Sequence, residues 1–470
     1  MTSLNSLEDS TVGIALTGSR RYQNDSTDDL RARNSIARIA EALNWSDNSG
    51  SSFGNLIPEG AKVLLKPNFV IHENQGPWGI DPLITHPSLI HSIVDEVLQT
   101  TAAEVLVGDA PIQECRFETL LAATGLDEWA ESVRDKDPRF LGVKDFRRTT
   151  CEFKNGVRVA SENLISEDRF VLFDLGAESL LEEVTDEDNS FRVTCYDPRL
   201  LAETHQQRRH QYLVAREVLE ADVIINLPKL KTHKKAGITC ALKNLIGING
   251  NKEYLPHHRV GGSRDGGDCY PGTSPIKHAL EYTLDRQNTA ESHASAKLWS
   301  QVSGGLTRIS NLAGDRLGVE GSWSGNDTIW RTALDLNRIM LYGREDGGIA
   351  DVPQRRVVHI VDAIIAGQGD GPLRPQPFPM GLIFGGANAA AVDWVGACLL
   401  GYAPANIPIV REAFGDFRWP IAKFSAEDVS VAGDLSFDEV CSSSVIAKTS
   451  RNITYPIGWR DAAGVMKCAG

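Results

Sequence analysis

Apolar residues recur along this chain in short runs, each closed by a polar residue, a glycine or a proline, with helically spaced stretches between them. Thr11–Thr17 predicts a first strand, and Ile36, Ile39, Ala40 and Leu43 within Asn34–Asn44 predict the helix after it. Lys62–Leu65 is a second strand, with Lys66-Pro67-Asn68 standing at its end. Past a Gly- and Pro-rich loop, Thr85-His86-Pro87 marks a helix start. Proline is favoured in a first turn, and Leu89, Ile90, Ile93, Val94, Val97 and Leu98 form one apolar stripe. Glu104–Val107 is a third strand, ended by Gly108-Asp109. Strand, helix and strand in this order predict a right-handed parallel unit.

The sharpest pattern lies at Ala221–Gly250. Val223, Ile224 and Ile225 predict a buried parallel strand, which Pro228 ends because it cannot donate to a ladder. Lys229, Lys231, His233, Lys234 and Lys235 follow within seven positions, then Lys243 and Asn244. In the second half, Arg356–Val361 runs as a strand into Asp362, followed by loop Gly367–Pro372, strand Gly381–Phe384, helix Ala389–Leu400 and a last strand near Val429–Val431. Helical spacing also marks Pro275–Asp285 and Thr328–Tyr342. Between Phe117 and Gln211, β-like runs such as Arg169–Phe173 and Phe191–Cys195 alternate with acidic loops like Glu182–Asp188, predicting an antiparallel excursion or small cap. Asn251–Ser274, rich in glycine and histidine and without a regular period, reads as a disordered insertion or a functional lid.

These elements predict an α/β protein: two-lobed, with mainly parallel sheets flanked by helices, an irregular β-containing insertion and a Gly/His-rich loop. Residues 1–115 form an N-terminal α/β segment and 116–215 an irregular α+β insertion. The core strand and Lys/His motif occupy 216–250, a loop and helical segment 251–345, and a C-terminal α/β lobe 346–470.

Composition narrows the classes. A net charge of -14 over 470 residues leaves no extended basic face for nucleic acid, and makes the lysine run a local reversal of sign suited to an anion. The longest apolar stretch, Ala389–Leu400, is too short for a membrane span and contains Asp393. The opening MTSLNSLEDS lacks the basic and apolar segments of a secretory signal, so a cytoplasmic location is expected. Eight cysteines lie scattered with none at C-x-x-C spacing, which does not support an iron–sulfur cluster.

Four apolar runs end in a group able to bind or transfer protons: Lys66-Pro67-Asn68, Asp109, Lys229-to-His233 and Asp362. The carboxyl ends of parallel strands share one edge, so these groups are expected to surround a single crevice. Lys66, Asn68, Lys229, Lys243, Asn244, His257 and His258 are the candidate ligand-binding residues, and His233 and Lys231 the candidate catalytic ones. Among the neighbouring lysines, His233 should favour its neutral form and serve as a base. Lys234 and Lys235 form the expected solvated end of the run. Asp109, Asp362 and Asp370 offer the oxygen ligands a magnesium ion prefers, or orient the lysines.

Asn226-Leu-Pro-Lys-Leu-Lys-Thr-His233, with Gly237-Ile-Thr239 and Ala241-Leu-Lys243-Asn244-Leu-Ile-Gly247, resembles the signature of the domain of unknown function 362 family. Lys66-Pro67-Asn68, Thr85-His86-Pro87, Gly108-Asp109 and Val361-Asp362-Ala363-Ile364 through Gly369-Asp370-Gly371-Pro372 are similar to its other blocks, in the same order. The likeness runs from about Lys62 to Gly401. Many relatives carry an added ferredoxin-like domain, whose cysteine motif this chain does not show. The resemblance implies the fold and the site; it carries no agreed chemistry.

Together these features predict an enzyme acting on a small anionic molecule, a phosphorylated or carboxylated metabolite or a glycan precursor. The alternatives are a non-catalytic binder of the same anion and an electron-transfer component receiving its cluster from a partner. Substrate, cofactor and oligomeric state stay open at this level.

Overall fold

Successive strands bury both faces, because their apolar residues alternate between two cores. In the computed structural model, which describes residues 6–47, 50–154, 157–187, 190–441 and 453–462, ten strands join in one sheet. Its main order is Ser430–Gly433, Thr11–Leu16, Gln376–Gly386, Arg356–Gln368, Val223–Leu227, Lys62–Pro67, Glu104–Asp109 and Phe140–Asp145. Lys229–His233 resumes the central strand beyond Pro228, pairs with Arg356–Gln368, and is answered by the antiparallel Gly237–Thr239. From Arg356–Gln368 to Phe140–Asp145 every neighbour is parallel, whereas Gln376–Gly386 runs against both of its neighbours. The chain is therefore an α/β protein built on a large, mostly parallel mixed sheet.

Leu64, Ile224, Val357 and Val361 enter one core; Val63, Leu65, Val223, Ile225, Val358 and Ile360 enter the other. This is the period-2 alternation of a sheet covered on both faces. Full burial of each such side chain is worth about 1.5–3 kcal/mol. Helices close the layers and start where capping chemistry allows. Asp25 accepts from Thr27 N ahead of Ser26–Ala42, and the His86 ring accepts from Ser88 N ahead of Pro87–Leu98. Asn388 does the same for the buried helix Ala389–Leu399.

Several elements differ from the sequence expectation. The Arg356 strand extends through thirteen residues to Gln368, absorbing Asp362 and the start of the glycine loop, because both of its edges are paired. The run Phe191–Cys195 shrinks to a two-residue strand, Phe191–Arg192, paired with His258–Arg259. The acidic loop after Glu182 is described only as far as Glu187. Helix His293–Leu312 was not signalled, since Leu298, Ile309 and Leu312 remain exposed and Gly304-Gly305 interrupt the pattern. Asn251–Ser274 is neither structureless nor detached: Leu255, Cys269 and Tyr270 are buried, the last two in a small core with Leu280 and Val319.

Candidate active site

The blocks read from the sequence are hydrogen-bonded to one another. Thr85 Oγ1 accepts from Asn68 N at 2.9 Å, and Asp362 Oδ2 accepts from His86 N at 2.9 Å. Asn226 binds the Ala241 carbonyl and the Asn244 amide, tying the end of the central strand to the turn Ala241–Asn244. That turn is also held by Asp393, whose carboxyl oxygens accept from Leu242 N, and by Asn337, which donates to the Leu242 carbonyl. Lys243 is carried on this fixed turn.

Beside the carboxyl ends of Lys62–Pro67 and Lys229–His233 lies a cavity of about 570 Å³. Six lysines line it (Lys66, Lys231, Lys234, Lys235, Lys243 and Lys252) against three carboxylates, Asp109, Glu114 and Glu320. Asn68, Asn244, His233 and His257 also reach it. Lys66 Nζ stands 2.6 Å from Asp109 Oδ1, both buried, and Asp109 Oδ2 accepts from Phe69 N. Gly247 is required here, because a Cβ would come within 2.1 Å of Asp109 Oδ1. Lys231 donates to Asn68 Oδ1 at 2.7 Å and to the Leu83 carbonyl. Lys234 pairs with Glu320 at 2.7 Å, and Lys235 donates to Thr194 Oγ1 at 2.9 Å.

Electrostatics follow from this crowding of like charge in a desolvated space. Burial, then Lys252, Lys235 and Lys66, brings the Lys243 ammonium down to about 7. Lys252 falls to about 8 through burial first. Lys235 also falls to about 8 by burial, against the attraction of Glu320. Burial favours the neutral form of His233, and Lys243, Lys231 and Lys235 reinforce it. His257 moves the same way, by burial and then by Lys235, Lys252 and Lys243.

The two imidazoles are opposite tautomers. His233 Nδ1 accepts from Lys235 N at 3.0 Å and Ala236 N at 3.1 Å, so in the neutral ring the proton sits on Nε2. His257 Nδ1 meets the Leu255 carbonyl at 2.6 Å, and an oxygen that only accepts fixes the proton on Nδ1. Its Nε2 is thus a bare acceptor. Three further oxygens lining the cavity, Gln113 Oε1, Thr239 Oγ1 and Asn244 Oδ1, are buried without a hydrogen-bond partner among the described residues.

The single crevice expected from the four strand ends is not what forms. Lys66 shares a face with Leu64, while Asp362 shares the opposite face with Val358 and Ile360, by strand alternation. Lys229 and Asp362 pair at 2.6 Å away from the cavity lining, with Tyr22 hydrogen-bonded to Asp362 and stacked on His86 at 3.5 Å. Burial opposes the Asp362 charge, but Lys229 and the bonds from Tyr22 and His86 carry its carboxyl below the usual range. Asp370 is exposed on its loop. The three aspartates therefore do not assemble the magnesium site expected of them: two are counter-ions of lysines and the third lies apart. Among the described residues no group of three or more His, Cys, Asp or Glu side chains is arranged to hold a metal.

His258 lines a second cavity of about 260 Å³ rather than the first, with its Nδ1 unpartnered among the described residues. Lys235, expected in solvent, is buried, with its ammonium held by Thr194. Sequence reasoning missed Lys252, Gln113, Thr239 and Glu320 as cavity residues. Lys252 and Thr239 adjoin motif residues and were within reach; Gln113 and Glu320 come from segments with no local signal.

Sheet and cavity define an α/β protein with a basic, histidine-containing pocket at the carboxyl ends of parallel strands. The chain belongs to the family called domain of unknown function (DUF362), which matches residues 63–167 and 156–398. It is 25% identical over 355 residues to the thylakoid-associated protein sll1697 of Synechocystis sp., covering 76% of this chain and 68% of that protein. A crystal structure of a Thermotoga maritima protein, a structural-genomics target, overlaps 74% of this chain with 11% identity and a TM-score of 0.30; the chain spans 54% of its length. Among the described residues no helix is long and apolar enough to cross a membrane.

Proposed function

We propose that the cavity binds a small anion, phosphorylated or carboxylated, and that the protein is an enzyme acting on it in the cytoplasm. One observation carries this reading. Lys243 and Lys252 reach the cavity without a carboxylate at ion-pair distance or a side-chain hydrogen bond among the described residues, while the other four lysines each have such a partner. Partly desolvated cations with no counter-ion are stabilised by an incoming anion. The unpartnered oxygens of Gln113, Thr239 and Asn244 add acceptors for ligand hydroxyls. A volume of about 570 Å³ suits a metabolite and not a polymer.

Calorimetric titration with inorganic phosphate at fixed ionic strength tests the anion site. Lys243→Ala and Lys252→Ala are each expected to weaken phosphate binding roughly tenfold or more, the worth of one charge-assisted hydrogen bond. Equal small losses for every lysine in the run would reduce the site to diffuse attraction.

A further inference from the structure

The expectation that His233 is the base of this cavity conflicts with its hydrogen bonds. A neutral imidazole has one lone pair, and His233 spends it on the backbone N–H groups of Lys235 and Ala236. What it presents elsewhere is an N–H donor. Lys243 is the complementary group: a primary amine on a rigid turn, lining the same cavity, without an ion pair or side-chain hydrogen bond among the described residues. The charges that bear on it are mostly positive. Lys66, Lys235 and Lys252 all repel its ammonium. Lys243 in turn acts on Lys231, His233 and His257. Of the carboxylates lining the cavity, Asp109 is already paired with Lys66 and Glu320 with Lys234.

Resting on the anion-site reading above, we propose that Lys243 and His233 work as a base and donor pair on a small anion bearing a carbonyl next to a C–H bond. Lys243 Nζ takes the proton from that carbon, so a C–H bond breaks and an N–H bond forms. The released pair makes a carbon–carbon double bond, and the carbonyl π pair moves onto oxygen. His233 Nε2–H holds that oxygen as its charge grows. Return of the proton from Lys243 to the same carbon re-forms the carbonyl and registers as exchange with solvent. Where that carbon bears a hydroxyl, passage of the hydroxyl proton to the former carbonyl oxygen and return of the carbon proton to the former carbonyl carbon completes an isomerisation, with no oxidant or co-reactant consumed. A neutral donor suits this task better than an imidazolium, which would protonate the oxygen outright. His257 Nε2, the bare acceptor, fits a hydroxyl of the same substrate. The substrate class is thus a hydroxylated keto acid or a ketose phosphate.

Three measurements on the full chain test this. Reductive methylation with ¹³C-formaldehyde and a pH titration by NMR should show one lysine resonance, absent in Lys243→Arg, titrating near pH 7. A Lys243 midpoint in the ordinary lysine range, about 10.4, or failure of so small a reagent to modify Lys243, would overturn its role as base. Nitrogen–proton correlation spectra should keep His233 as the Nε2–H tautomer from pH 5 to 8. A protonation of His233 near pH 6.5 would overturn its role as neutral donor. Deuterium uptake from D₂O should occur for at least one of dihydroxyacetone phosphate, fructose 6-phosphate and hydroxypyruvate, and fall a hundredfold or more in Lys243→Arg relative to wild type. No enzyme-dependent uptake with any of the three would overturn the carbon-acid chemistry. Phosphate should raise the Lys243 midpoint; if it does not, the anion site itself fails, whichever way the other tests fall.

Discussion

Lys229 Nζ lies 2.6 Å from Asp362 Oδ2 with both side chains buried, yet neither opens onto the cavity that Lys231, two residues along, helps to line. The pair lies instead beneath the stacked rings of Tyr22 and His86, joining the N-terminal loop, the helix start at Pro87 and the long Arg356–Gln368 strand. Its position makes it a fastening between segments distant in sequence.

Removing one partner of such a pair leaves a buried charge without compensation. Lys229→Met is therefore expected to lower unfolding stability by about 3–5 kcal/mol. Phosphate affinity of the folded protein should change by less than threefold. Urea unfolding followed by titration separates the two effects; a stable variant with lost affinity would return Lys229 to the cavity.

Lys234 and Lys235 adjoin in sequence but differ in surroundings. Lys234 is one-third exposed and already paired with Glu320, whereas Lys235 is buried. Lys235→Ala should weaken phosphate binding several-fold more than Lys234→Ala, since exposed paired charges contribute only about 0–1 kcal/mol. Equal affinities for the two variants in the same titration would contradict this.

Asp393, buried under the Ala241–Asn244 turn, has its carboxyl pushed up to about 7 by burial, against hydrogen bonds from Cys240 and the backbone of Leu242 and Ala241. The folded state thus holds a proton that the unfolded chain, with an ordinary aspartate at about 3.9, has released. Its contribution is complete below about pH 4 and lost as pH rises through 7. Compared with Asp393→Asn, the wild type should lose about 1.4 kcal/mol per pH unit across that window. Paired denaturation curves at pH 4.5, 5.5 and 6.5 measure the difference. Parallel curves would mean that Asp393 is ionised in the fold.

Much of the architecture was legible in local pattern. Val223–Leu227, Lys62–Pro67 and Glu104–Asp109 are buried on both faces and so appear as continuous apolar runs, and Pro228 marks the break between strand and lysine run. Thr85-His86-Pro87 announces its helix through the proline of the first turn, which is a property of a few adjacent residues. Gly381–Phe384 was visible as a strand, but neither its extension to Gln376–Gly386 nor its antiparallel sense, because both depend on its partners.

By itself, then, the amino-acid sequence determined the α/β class, seven of the ten strands of the central sheet (Phe140–Asp145, Lys229–His233 and Gly237–Thr239 were not among them) and the group of lysines, histidine and asparagines gathered at their ends. Only the tertiary structure decided which of those groups share a cavity. Alternation sends Lys66 and Asp362 to opposite faces, a single residue's parity that local pattern shows only once the register is known. The fold also chose each ion's partner, leaving Lys243 and Lys252 without one among the described residues and turning two expected metal ligands into lysine counter-ions. It set the tautomers of His233 and His257 through neighbouring backbone groups. Burial, charge and hydrogen bonding at a site are sums over segments far apart in the chain, so they exist only after folding has brought those segments together.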